Sequence, residues 1–196
     1  MPSGLTKDRG EANLPEGVVI RALTRHADSR GSLTEIYRAS WSMGCEPLQI
    51  NAMSSVAGTL RGVHVHVRHA DHLALIAGRM LLGLHDLRGE SATRGLSWLT
   101  EIDAERPQAV VIPVGVAHGF YFPVASVLVY GVSHYWNPAD ELGCQWDAAE
   151  LNLAWPIRIP ILSQRDAEAG DYATMCRLFV EASQDDNAGH KSGSSA

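Results

Sequence analysis

Between Gly17 and Leu162 the chain is written in short apolar runs separated by turn-forming residues. The runs are "GVVIRALT", "GSLTEIYR", "LQINAMSS", "TLRGVHVHV", "HLALIAGRMLLGLHDL", "LSWLTEI", "AVVIPVG", "HGFYFPV", "SVLVYGVSHYW" and "IRIPIL", recurring about every eight to twelve residues. In several of them apolar and polar positions alternate, the period of a half-buried strand. Such spacing, with no helical pattern between the runs, predicts an antiparallel barrel or sandwich, not alternating βαβ units. One helix is predicted, and it comes late. "DYATMCRLFVEA" puts Tyr172, Met175, Leu178 and Phe179 at helical spacing, an apolar face suited to docking on a sheet. The predicted frame is all-β with a C-terminal helix, a small barrel whose mouth holds one ligand.

The alternation carries chemistry in "GTLRGVHVHVRHADHLALIAG", where four of the nine histidines fall. His64 and His66 stand at i and i+2 and must share a sheet face. With Gly58, Asp71 and Gly78 they have the form G-x5-H-x-H-x4-D-x6-G, which resembles the first cupin motif with Asp71 in place of its usual Glu. A second cupin motif is partly present as Pro113-Val114-Gly115-Val116-Ala117-His118, with Phe122 where the motif ends in Asn and Pro107 where it begins with Gly. The resemblance implies a cupin-type double-stranded β-helix, or jelly-roll barrel. In metal-binding cupins the matching positions supply three imidazoles and one carboxylate, here His64, His66, His118 and Asp71. Such a set suits Fe, Mn, Ni, Cu or Zn. His69 and His72 fall outside this pattern and read as surface or supporting residues.

A second resemblance is more specific and covers residues 27–167. "DSRGSLTE", "LQINAMSS", "LRGVHVH", "GLHDLRGESAT", "VIPVGVAHGF", "VLVYGVSHYW", "QWDAAELNLAWP" and "ILSQRD" are similar, in order, to segments of the dTDP-4-keto-6-deoxyhexose 3,5-epimerases, themselves cupin-fold proteins. The resemblance implies that His64 removes the proton α to a 4-keto group, oriented by Asp166, and that Tyr130 re-protonates the carbon from the other side. A carboxylate partner fixes an imidazole's tautomer and raises its basicity, as a general base requires. By the same resemblance Arg30, Arg61 and His118 engage the diphosphate and its surroundings, and Glu35, Gln49 and Asn51 match polar positions of the family pocket. The family requires no cofactor and pairs early strands across a homodimer. Its pattern breaks at Asp71, where the family has a lysine that stabilises the enolate, and at His66, where it has a glutamine. Loss of an oxyanion stabiliser typically costs on the order of 10²–10³ in rate. Ser32-Leu33 stand where the family has an aromatic pair. Three functional readings follow: a metal-free epimerase, a metal-dependent cupin enzyme using the four-residue ligand set, and a non-catalytic sugar-binding barrel.

Composition narrows the partners. A chain of 196 residues suits one domain, and we expect a mobile segment over 1–16, a single domain over 17–182 and a disordered, small and polar tail over 183–196. The net charge of −6 argues against a nucleic-acid backbone as ligand, while one or two arginines suffice to grip a diphosphate. Cys45, Cys144 and Cys176 form no close-spaced set and read as reduced thiols. The polar start lacks a leader's apolar region, and no run approaches a membrane span. The expectation is a cytoplasmic homodimer acting on a small nucleotide sugar.

Overall fold

Strand-forming residues cut by glycines set the element boundaries. The structure, a computed structural model, describes residues 14–137 and 140–192. Within it the long apolar run of residues 72–87 breaks at Gly78, which has φ +85° and leaves no room for a Cβ beside Ser126. The break yields β6 (Asp71–Ala77) and β7 (Arg79–Asp86). With β1 (Val19–Ala22), β4 (Gln49–Ser55), β9 (Gln108–Ile112) and β11 (Ser126–Val132), β6 forms one sheet in the order β1-β9-β6-β11-β4. With β5 (Thr59–Val65), β8 (Ser97–Asp103), β10 (Val116–Phe122) and β12 (Leu142–Gly143), β7 forms a second in the order β12-β5-β10-β7-β8. The pairings in both sheets are antiparallel. The all-β antiparallel frame read from the pattern, in the double-sheet form that the cupin resemblance implies, is the observed one.

Alternation along β10 shows how the sheets are held. Val116 and Phe122 point inward to a core shared with Leu73 and Leu75 of β6, Leu82 and Leu84 of β7, Val110 and Ile112 of β9 and Leu128 of β11. Ala117 and Tyr121 point outward and pack with Leu60, Val63 and Val65 of β5 against Trp155, Met175 and Phe179. The last two belong to α2 (Tyr172–Ser192), which follows the short α1 (Gln164–Ala167). Leu178, expected on the docking face, is more than a third exposed. It lies roughly 100° around the helix from Phe179, off the buried stripe.

Other differences have local causes. "IRIPIL" makes only an isolated bridge from Ile161 to Thr59, because Pro156 and Pro160 lack ladder donors. The hairpin of β2 (Arg25–Asp28) and β3 (Gly31–Thr34) stands apart as a two-stranded unit, and β2 is exposed at every position, with no alternation to announce it. Helix α2 continues through residues 183–192, into the stretch where composition predicts a disordered tail. There Arg68 pairs with Asp186 at 2.9 Å and the Ser183 hydroxyl donates to the Phe179 carbonyl at 2.7 Å. Of the segment expected to be mobile, residues 1–13 lie outside the described residues, whereas the Glu16 amide donates to Thr93 Oγ1 at 2.7 Å. The three cysteines are free, and no described helix is long and apolar enough to cross a membrane.

Candidate active site

Strict alternation on β5 would put Arg61 and His64, three residues apart, on opposite faces. The ladder with β10 prevents this by slipping: His118 pairs with His64 but Phe120 pairs with Arg61, so β5 carries one extra residue. Gly62 absorbs the bulge at φ +105°, with its α-hydrogen position too close to the His118 carbonyl for any Cβ. As a result Arg61, His64 and His66 all face one cavity of about 430 Å3 between the sheets. β6 contributes Asp71 and Leu73, β10 contributes His118 and Phe120, and β11 contributes Tyr130.

His64 Nε2 lies 2.7 Å from Asp166 Oδ1. A carboxylate at that distance accepts, so Nε2 carries the hydrogen and Nδ1 keeps the lone pair. Arg165 Nη2 packs 2.9 Å from the same Nε2, whose hydrogen is already committed to Asp166. Ser163 caps α1 by accepting the Asp166 amide at 3.1 Å, which fixes the carboxylate's place. Asp166 is therefore both a helical first-turn residue and the imidazole's partner. Burial pushes its carboxyl up, but bonding to His64 and Ser163 and the charge of Arg165 outweigh this and hold it below the usual range. A depressed carboxylate stabilises the fold above its unfolded pKa, and that contribution is lost as pH falls through the folded value. Asp166→Asn should accordingly flatten the acid limb of a melting-temperature profile below about pH 4. An unchanged acid limb would refute the pairing.

Tyr130 reaches the cavity from the sheet opposite β5. Burial raises its phenol above the ordinary value, so it is protonated at neutral pH and able to donate. His64 and Tyr130 thus line the cavity from different sheets.

The cavity floor holds more charge than the sequence motifs suggest. Asp71 is buried, and burial raises its carboxyl to about 7, with His69 opposing the shift. Burial lowers His118 to about 3 and takes His66 well below the ordinary imidazole value. His69, expected to be a surface or supporting residue, is 2% exposed and lies on the floor. Its Nδ1 meets Asp140 Oδ2 at 3.1 Å, and this bond with the nearby carboxylates raises its pKa although burial alone would lower it. His72 is also buried and donates from Nε2 to the Ile36 carbonyl at 2.8 Å. The causes differ: His69 lies in the non-strand segment between β5 and β6, where alternation no longer reports the facing side, whereas His72 is on β6, on the face away from Asp71 and Leu73, where the Ile36 carbonyl and the Tyr37 ring cover it.

Sequence reasoning missed Glu141, Arg165 and Trp136, all of which line the cavity. Glu141 accepts from Arg165 Nη1 at 2.7 Å and from Trp136 Nε1 at 3.0 Å. Arg165 was adjacent to the predicted Asp166 in "SQRD", the one available signal. Four expected binding residues do not line the cavity within one chain. Arg30 sits in the β2–β3 turn, its side chain 88% exposed and paired with Asp28 at 2.7 Å. Glu35 pairs with Arg38. Gln49 and Asn51, on the same face of β4 as the cavity-lining Met53, bond to each other at 3.0 Å, and Gln49 Oε1 accepts the Trp136 amide at 3.1 Å. They form a rim, not a wall. All four members of the expected ligand set, His64, His66, Asp71 and His118, line the cavity, and His66 and His118 each lie 3.6 Å from Asp71. His64 is held by Asp166, and the tight cluster is His66, His69 and Asp71, with donor atoms within 4.8 Å of one another.

The family described as dTDP-4-dehydrorhamnose 3,5-epimerase matches residues 12–173. The dTDP-4-dehydrorhamnose 3-epimerase of Streptomyces niveus is 33% identical over 164 residues, covering 79% of each chain. The dTDP-4-dehydrorhamnose 3,5-epimerase of Pseudomonas aeruginosa is 32% identical over 156 residues, 74% of this chain and 86% of that one. Among solved structures, a 3'-monoepimerase from Streptomyces bikiniensis in complex with dTDP-quinovose superimposes with a TM-score of 0.76 at 30% identity, over 87% of this chain and 95% of that one.

Proposed function

Because this chain belongs to the dTDP-4-dehydrorhamnose 3,5-epimerase family, we propose that it epimerises a nucleotide-linked 4-keto-6-deoxy sugar at a carbon α to the ketone, with His64 as base, Asp166 as its orienting partner and Tyr130 as the opposing acid. The observation that carries this reading is the 2.7 Å His64–Asp166 pair facing Tyr130 across a ligand-sized cavity. Proton removal and return involve no change of oxidation state, so the reaction calls for no redox cofactor. The developing enolate needs a cation, and Arg165 at the cavity wall is the nearest guanidinium to His64, with Arg61 also lining the space. Relatives include both 3,5- and 3-epimerases, so inversion at C3 is the shared expectation.

The test is to supply dTDP-4-keto-6-deoxyglucose in D2O and follow the sugar by NMR. Deuterium should enter at C3, C5 or both. Binding without exchange at either carbon would overturn the reading in favour of a sugar-binding barrel. Tyr130→Phe should slow inversion by about 10²-fold, the lower range for loss of a general acid, while washout at the carbon facing His64 persists. Equal loss of inversion and washout would remove Tyr130 from the acid role.

Arg30 and Glu35 lie outside the cavity of their own chain and serve a nucleotide only where a second protomer abuts them. A homodimer is consistent with the exposed Leu33 of the β2–β3 hairpin and Ile50 of the sheet-edge strand β4. Light scattering on the purified chain should return twice the chain mass, and a monomer would leave those two residues without a role. Free thiols and a polar ligand suit the cytoplasm.

A further inference from the structure

Three imidazoles on the cavity floor share one arrangement. His69 Nδ1 meets Asp140 Oδ2 at 3.1 Å and His118 Nδ1 meets the Val116 carbonyl at 3.1 Å. Both partners only accept, so each Nδ1 carries the hydrogen, and in the neutral ring each Nε2 keeps its lone pair. His66 Nδ1 is buried with no hydrogen-bond partner and lies 3.7 Å from Glu141 Oε1, which favours the same tautomer. All three Nε2 atoms then face the Asp71 carboxylate, at 3.6 Å for His66, 3.9 Å for His69 and 3.6 Å for His118. These separations exceed a hydrogen bond. Lone pairs converging on an anion in a buried space repel unless a positive charge stands between them. Donors about 2.0–2.2 Å from a tetrahedral cation sit roughly 3.3–3.5 Å apart, close to the spacings seen. Nδ1 held by a carboxylate or backbone carbonyl with Nε2 free is also how metal-bound histidines are oriented.

We propose that His66, His69 and Asp71, flanked by His118, bind one divalent transition-metal cation on the floor of the cavity. The set differs from the one that motif spacing suggests, since His69 replaces His64, which Asp166 holds. His64 thus keeps its proton-transfer role whether or not the cation is bound. The cation neutralises Asp71, the carboxylate of wrong sign for an enolate site, and supplies a Lewis acid to a ligand oxygen in the cavity. The site does not depend on the epimerase reading.

The test uses full-length untagged protein, treated with chelator and titrated with Co2+. The expected result is about one Co2+ per chain with visible d–d absorption, lost in His69→Gln and in Asp71→Asn. Asp140→Asn, which touches only the imidazole, should weaken binding about 10–100-fold, while His64→Gln leaves it near wild type. Circular dichroism establishes that each variant is folded. If a variant is not, the wild-type melting temperature decides, and it must rise with added Co2+. Uptake below about a tenth of an equivalent, with His69 titrating as an imidazolium by NMR, would mean that a proton alone bridges the cluster and would overturn the proposal. So would binding that survives in His69→Gln but disappears in His64→Gln.

Discussion

Replacing His64 with Asn is expected to slow deuterium exchange at the sugar by about 10³-fold, within the range for removal of a general base, while dTDP binding stays close to wild type. Asn matches the imidazole in polarity but cannot take up a proton near neutral pH. Its shorter amide overlays Nδ1 and does not reach Asp166, which bonds Nε2 of the native ring at 2.7 Å, but the Arg165 guanidinium, 3.5 Å from that carboxylate, still neutralises it. The fold should therefore be retained and the loss should fall on kcat. Asp166→Asn makes a useful companion. The base remains but its tautomer is no longer fixed, and a smaller loss than that of His64→Asn is expected. Exchange in His64→Asn at more than about a third of the wild-type rate would assign the base to another group, because loss of the group that takes the proton costs at least about 10²-fold.

Phe122→Ala is expected to lower stability by about 3–5 kcal/mol, the usual cost of emptying a buried phenylalanine site. For a domain of this size that corresponds to a fall in Tm of roughly 6–20 °C. Phe122 is fully buried in the core between the sheets, with Leu128 of β11 and Met80 and Leu82 of β7 in the same cluster. The site lies between two hydrogen-bonded five-stranded sheets, so the space cannot collapse without moving a ladder. His118, four residues earlier on the same strand, gives the loss a functional echo, since a shifted β10 misplaces the cavity floor. Ile159→Ala is the control: Ile159 is 87% exposed, and its loss should stay within about 0.5 kcal/mol. A Phe122→Ala variant melting within about 2 °C of wild type would mean that the packing of this core is wrong.

Phe122 also shows how a motif can mislead in detail and hold in substance. It occupies the position where the cupin pattern ends in a polar residue, yet its inward direction follows from alternation along β10 alone, with Val116 and Phe122 on the core side. Period-two patterning needs no knowledge of partners, which is why the strands, the late helix and the face shared by His64 and His66 were legible. The dyad was legible for a different reason. Its members lie 102 residues apart, and only the resemblance to a family joined them.

What pattern could not decide are the places where the backbone leaves its period or where distant segments meet. The bulge at Gly62 turns Arg61 to the same side as His64. The non-strand segment after β5 buries His69, and residues 36–37 cover His72 on β6. Glu141 and Arg165, 24 residues apart, pair at 2.7 Å over the cavity. Spacing and side-chain chemistry, both local properties, were enough for the all-β antiparallel frame and for the residue types available for proton transfer. Which histidines share the floor with Asp71 is instead a matter of where separate strands and the segment between β5 and β6 deliver their side chains in a shared space.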